Sequence, residues 1–146
     1  MQQRTTPSVR IAKPFLKWVG GKQQLIEQFQ PLLPSSIRRY HEPFLGGGAV
    51  YFHLWGTGRI TESAWLADTN PELIETYCAV RDRVDEVIAA LAEHAARHGR
   101  NYYYEIRSLD RRSNCLNGIE KAARMIYLNR TCSVSYTHLD VYKRQH

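Results

Sequence analysis

Three consecutive glycines, Gly46-Gly47-Gly48, follow Glu42-Pro43-Phe44-Leu45 and lead into Ala49-Val50-Tyr51-Phe52. The string reads as the end of a strand, a turn and the start of a helix. Glycine permits positive φ and lets a ligand approach the main chain with no Cβ in the way. The helix start that follows turns its unpaired N–H groups and its positive dipole end toward the turn, which suits a polar or anionic ligand. Asp68 stands twenty residues after Gly48, within Leu66-Ala67-Asp68-Thr69-Asn70-Pro71. A strand–glycine–helix turn with an acid on the next strand is a nucleotide-binding arrangement, in which the carboxylate accepts hydrogen bonds from both ribose hydroxyls. Upstream, an apolar hexad from Pro14 to Val19, broken only by Lys17, runs into Gly20-Gly21-Lys22. These three segments are expected to close on one small molecule. Plainer roles stand beside that reading: Asp68 as a cap on the Asn70-Pro71 turn, Trp18 and Phe44 as core aromatics, Lys22 as a solvated cation at a helix start.

The details of the turn narrow the ligand. A dinucleotide fingerprint needs Gly or Ala at its third small position, which counting from Gly46 and Gly48 is Tyr51. A tyrosine there would hold the helix off the strand and crowd a pyrophosphate. A phosphate-binding P-loop is disfavoured as well: no glycine stands at the right distance before Gly21-Lys22, and Gln23 follows the lysine. A nucleoside without a pyrophosphate remains, of which S-adenosylmethionine is the common one.

The elements that must hold these groups follow from periodicity. Leu25, Ile26, Phe29, Leu32 and Leu33 predict a helix over Gln23 to Leu33, stopped by Pro34. Arg39 to Phe44 and Ser63 to Ala67 read as short strands, with a helix from Ala49 to Trp55 between them. Asn70 is expected to cap a helix with Pro71 at its first position. Val84, Val87, Ile88, Leu91 and Ala95 predict a second helix, closed by His98-Gly99. Tyr102 to Leu109 is expected to be helical, and Ile119, Ala122, Ala123 and Ile126 predict a helix to about Asn129. Strand, helix, strand, helix implies a parallel α/β sheet, and two strands are too few to complete one.

Composition bounds the partners. The 146 residues suit one domain, and an apolar fraction of 43% can build a core. A net charge of +6 and a pI of about 9.4 permit a polyanionic partner. The densest basic group, Arg107 to Arg112, reads as a solvated helix end or a phosphate-facing patch. Three cysteines, Cys78, Cys115 and Cys132, with no C-x-x-C, fit a reducing cytoplasm rather than a disulfide framework. No run is apolar enough to cross a membrane, and the first ten residues lack a signal-peptide pattern. His94 and His98 are four apart, but Ala95 stands where a metalloprotease helix needs Glu, so they read as a solvated helix face and no metal site is assigned. Tyr102-Tyr103-Tyr104 could stack bases, though a half-buried element is the simpler reading.

Four ordered strings, Pro14-Phe15-Leu16-Lys17-Trp18-Val19-Gly20-Gly21-Lys22, Glu42 to Gly48, Leu66-Ala67-Asp68-Thr69-Asn70 and Ile126-Tyr127-Leu128-Asn129-Arg130, resemble the Dam-type (D12 class, alpha group) DNA adenine-N6 methyltransferases. The resemblance runs from about Pro14 to Cys132, with Val19 where the family usually has Ala. It implies an α/β, Rossmann-like class I S-adenosylmethionine-dependent methyltransferase fold, truncated, with an incomplete parallel sheet and a helical insert. It implies an adenosylmethionine pocket made by Trp18, Gly20, Gly21, Lys22, Phe44, Gly46, Gly48, Asp68 and Asn70, with Lys22 on the methionine carboxylate. Lys17 and Arg130 are implied to face duplex DNA.

Methylating adenine N6 needs more than a cofactor, because the amine is a poor nucleophile and the base must leave the duplex. The family uses D-P-P-Y for this, and no Pro-Pro occurs in the chain. No catalytic residue is therefore assigned. Residues 1–13 are expected to be a loose arm and 14–132 the cofactor-binding part with the start of the target-recognition region. Residues 133–146 resemble vector read-through rather than native sequence. The expectation is an N-terminal fragment of a monomeric, cytoplasmic, site-specific adenine methyltransferase, inactive alone. The alternative is a non-catalytic basic nucleic-acid-binding module.

Overall fold

A computed structural model describes residues 12–18, 22–109 and 116–142, with only the backbone described over 133–142. Strand β1 (Ile37–Glu42) and strand β2 (Ile60–Leu66) pair in parallel, from Ile37 beside Ile60 to Glu42 beside Leu66, with a register irregularity between Ile37 and Arg39. Between them runs helix α2 (Ala49–Gly56), whose Leu54 is fully buried. The parallel pairing with an intervening helix is the α/β unit that the alternation of periods predicts.

The stretch before β1 departs from expectation. In place of one helix over Gln23 to Leu33 there is a 3-10 turn at Lys22–Leu25, a single α-helical turn α1 (Ile26–Phe29) and a second 3-10 turn at Gln30–Leu32. Pro31 ends the α-helical turn after Phe29: it has no N–H to donate, and its ring clashes with the carbonyl one turn back. Leu25, Phe29 and Leu32 are left exposed, so little packing offsets that break.

Beyond β2 the regular elements among the described residues are helices. Helix α3 (Pro71–Asp82) starts as expected, with the Asn70 side chain accepting from the N–H of Glu72 and Leu73. Helix α4 spans Val84–Ala96, and helix α5 spans Arg100–Ser108. Helix α6 (Gly118–Tyr142) begins in a capping box: Asn117 accepts from Ile119 and Glu120, while Glu120 accepts from the Asn117 N–H. It does not stop near Asn129, because no Gly or Pro occurs from there to Tyr142.

Helices α3 and α4 pack on α6, and the core forms at that junction from Leu73, Val87, Ile119, Ala122 and Ile126. Leu16, only 4% exposed, inserts into the same cluster from the segment before the first turn. Helix α5 docks on α6 through Tyr102, Tyr103, Ile106 and Tyr127. The buried Arg124 guanidinium donates to the carbonyls of Ile106 and Arg107, placing a cation at the negative end of α5. Among the described residues no helix is long and apolar enough to cross a membrane.

Candidate functional site

β1 and β2 end side by side, and their pairing continues past the strands: Ala67 N–H donates to Glu42 O and Leu45 N–H to Ala67 O, each at 2.9 Å. The glycine turn therefore sits beside the Ala67-Asp68 exit of β2, at the carboxyl ends of parallel strands where open α/β sheets bind ligands. Gly46 and Gly48 hold φ of +52° and +70°, a region that disfavours any side chain.

The space beside the glycines belongs to the protein itself. A Cβ on Gly46 would lie 3.0 Å from Trp18 Cδ1, and one on Gly47 would lie 3.1 Å from the Leu16 carbonyl. A Cβ on Gly48 would meet the Phe52 ring at 3.0 Å and the Tyr77 hydroxyl at 3.1 Å. The glycines thus let Trp18, Phe52 and Tyr77 close directly on the turn, so the room that a missing Cβ leaves is filled by the protein's own atoms.

Asp68 is fixed by main chain. Its Oδ2 accepts from Gly46 N–H at 2.9 Å and its Oδ1 from Asn70 N–H at 3.0 Å. The Gly46 bond, then that of Asn70, holds the carboxyl below the ordinary aspartate range against a small opposing effect of burial. An ionised carboxylate has about four acceptor positions, and Asp68 is only partly buried. With the Thr69 N–H also turned to the carboxylate, capacity for about one further donor remains. The plain capping role holds, through Asn70.

Around this corner lie groups that the sequence reading left without a role. Glu42, 5% exposed, accepts from the Tyr40 hydroxyl at 2.9 Å and meets the Lys22 ammonium at 3.4 Å. Lys22 is thus paired with Glu42 while its side chain stays 46% exposed to solvent. Tyr77 donates its hydroxyl proton to Gly46 O at 3.2 Å and packs edge-on against Phe15. Burial, reinforced by the negative charges of Glu42 and Asp68, raises the Tyr77 phenol well above its ordinary pKa, so it stays a neutral donor. An acid ending a strand before a glycine run is the signal that could have found Glu42. Tyr77 gives no such signal.

The other assigned residues divide. Phe44 is 69% exposed, so it is no core aromatic and its face is open beside the turn. Gly20 and Gly21 lie outside the described residues, as does Cys115 and the part of the basic group at 110–112. Lys17 and Arg130 are both exposed, and they flank one junction: Lys17 N–H donates to Asn129 Oδ1 at 2.8 Å, and Asn129 Nδ2 donates to Lys17 O at 2.6 Å. His94 is not on a solvated face. It stacks on Tyr127 and shares a 2.7 Å hydrogen bond with the Tyr102 hydroxyl, while His98 bonds the Tyr127 hydroxyl at 3.0 Å. Of the tyrosine triplet, Tyr102 and Tyr103 are buried and Tyr104 is exposed.

A sequence profile described as D12 class N6 adenine-specific DNA methyltransferase matches residues 18–143. The chain belongs to this family.

Among similar proteins, a type II methyltransferase of Lactococcus lactis subsp. cremoris is 38% identical over 120 residues, covering 81% of this chain and 40% of that protein. A type II methyltransferase of Methanocaldococcus jannaschii is 33% identical over 133 residues, covering 82% of this chain and 46% of that one. A DNA adenine methylase of Escherichia coli (strain K12) is 32% identical over 120 residues, covering 81% and 40%. The chain spans less than half the length of these relatives. The D12-class match takes in the glycine turn, Asp68, Tyr77 and the Asn129-Arg130 pair.

Proposed function

We propose that this chain is the S-adenosylmethionine-binding part of a site-specific DNA adenine-N6 methyltransferase. The observation that carries the reading is the Asp68 carboxylate, ionised and pinned by the Gly46 N–H at the carboxyl ends of two parallel strands. The donor set fits the cofactor chemically. Asp68 would accept from a ribose hydroxyl, and the exposed Phe44 ring would cover an apolar face of the nucleoside. Lys22 would meet the methionine carboxylate and Glu42, beside it, the methionine ammonium. Trp18 and the glycines would form the wall between them. When bound, the cofactor supplies an electrophilic methyl group; this chain's residues orient it and keep the sulfonium end beside a carboxylate.

Duplex DNA is the proposed partner. Lys17 and Arg130, exposed on either side of the Asn129 junction, would meet phosphates or base edges from the same face. The naming of relatives as type II methyltransferases favours a restriction–modification setting, and a cytoplasmic site goes with it. The net charge of +6 favours one second reading, a basic nucleic-acid-binding module without cofactor.

Isothermal titration separates the two. The methyltransferase reading expects adenosylmethionine to bind the chain and binding to fail in Asp68→Ala. Salt-sensitive DNA binding with no cofactor heat in the unaltered chain would replace it with the second reading.

A further inference from the structure

The segment at residues 12–18 forms neither helix nor strand, yet it positions the ring that sits on the glycine turn. Irregular backbone must find partners for its N–H and C=O groups. At Lys17 one side chain supplies both, the Asn129 amide, which accepts from the N–H and donates to the C=O. A primary amide carries donor and acceptor in one plane, so it can bind a residue's main chain as a neighbouring strand would. On one side of this clamp Leu16 is anchored in the α3–α4–α6 core. On the other side Trp18 lies against Gly46. Across the clamp, 112 residues along the chain, the next residue of α6 is Arg130.

We propose that Asn129 is a positioning residue for the cofactor pocket: its amide clamps the Lys17 main chain, holds Trp18 on Gly46, and ties the Arg130 end of α6 to the glycine turn. The inference rests on the reading of that turn as an adenosylmethionine site. Leu16 alone fixes the depth of the segment but leaves rotation about the Lys17 main chain free. The paired hydrogen bonds remove that rotation and so set where the indole stands.

The test titrates adenosylmethionine into the 146-residue chain and three variants, with melting curves for each. Asn129→Ala is expected to weaken cofactor binding about tenfold, the loss of two hydrogen bonds that order the pocket wall. Asn129→Asp keeps one acceptor but sets an oxygen against the Lys17 carbonyl, so it loses at least as much. Thr131→Val removes a bond internal to α6, Thr131 Oγ1 to Tyr127 O, without touching the segment, and is expected to bind as the unaltered chain does. Equal affinity in Asn129→Ala, or an equal loss in Thr131→Val at matched melting temperature, overturns the proposal. Should Asn129→Ala fail to fold, amide exchange in the unaltered chain decides: a protected Lys17 N–H supports the clamp, and exchange at the open-chain rate removes it. If the unaltered chain binds no cofactor, the functional reading falls instead. The clamp is then read from the Trp18 indole resonance, which moves in Asn129→Ala and not in Thr131→Val if Asn129 holds it.

Discussion

The main-chain N–H of Gly46 donates to the Asp68 carboxylate at 2.9 Å, so the turn that ends β1 and the acid that follows β2 are parts of one hydrogen-bonded corner. Gly46 makes this bond while holding φ +52°, the conformation that turns the chain away from β1 after it. A carboxylate so held is ready to accept from a ligand without first being ordered, and that preorganisation is what a binding corner requires.

Asp68 should make stability depend on pH. Its folded pKa lies below the ordinary value of 3.8, so as pH falls the unfolded chain takes the proton first. The stabilisation is therefore full above about pH 5 and is lost as pH falls through the ordinary value toward the folded one. Asp68→Asn, which sets an amide against a main-chain N–H, is expected to lose about 1–3 kcal/mol at neutral pH. In urea unfolding the gap between the two proteins should shrink toward about pH 3. A gap that stays constant over that range would mean that Asp68 is not charged in this bond.

Two glycine substitutions should separate backbone strain from contact with Trp18. Gly58 also has positive φ, +68°, but a Cβ there meets nothing within 4 Å. Gly58→Ala should cost about 1–2 kcal/mol, the strain of the left-handed region alone. Gly46→Ala adds a 3.0 Å encounter with Trp18 and should cost at least about 1 kcal/mol more. Equal losses in thermal unfolding would show that Trp18 does not rest on the turn.

His94 should weaken the helical half in mild acid. Burial lowers its pKa below the ordinary 6.5; Glu93 opposes that shift and Arg97 adds to it. Its other facing groups are the Tyr102 and Tyr127 rings and hydroxyls, with Arg97 stacked over Tyr102. The unfolded chain then binds the proton first, so stability drops as pH falls from about 6.5 toward the folded value. His94→Phe keeps the ring stack and removes the titration, so its stability curve between about pH 7 and pH 5 should be flatter. A curve parallel to that of the unaltered chain would place the acid sensitivity elsewhere.

The 146-residue chain should not methylate DNA by itself, since it carries no D-P-P-Y to accept the adenine amine's hydrogens. Incubation with tritiated adenosylmethionine and plasmid DNA is expected to leave no label in the DNA above a no-protein blank. Label that scales with protein concentration would show that another group in the chain accepts those hydrogens.

The sequence by itself determined what depends on neighbours in the chain. Positive φ at Gly46 and Gly48, the Asn70–Pro71 start of α3 and the two strand periods follow from local sterics and capping, which act within a few residues. The Asp68 position was legible for the same reason, because a fixed count of residues carries the chain from the turn through α2 to the end of the next strand. Apolar spacing misled where a local breaker outweighed it, at Pro31, and where no breaker followed, along α6 past Asn129. Only the tertiary structure decided that Glu42 takes Lys22 and Tyr40, that Tyr77 holds Gly46 O, and that Asn129 grips Lys17. Most of those pairs join residues 20 to 112 positions apart, and such meetings are fixed by how helices pack on one shared core, which no local pattern encodes.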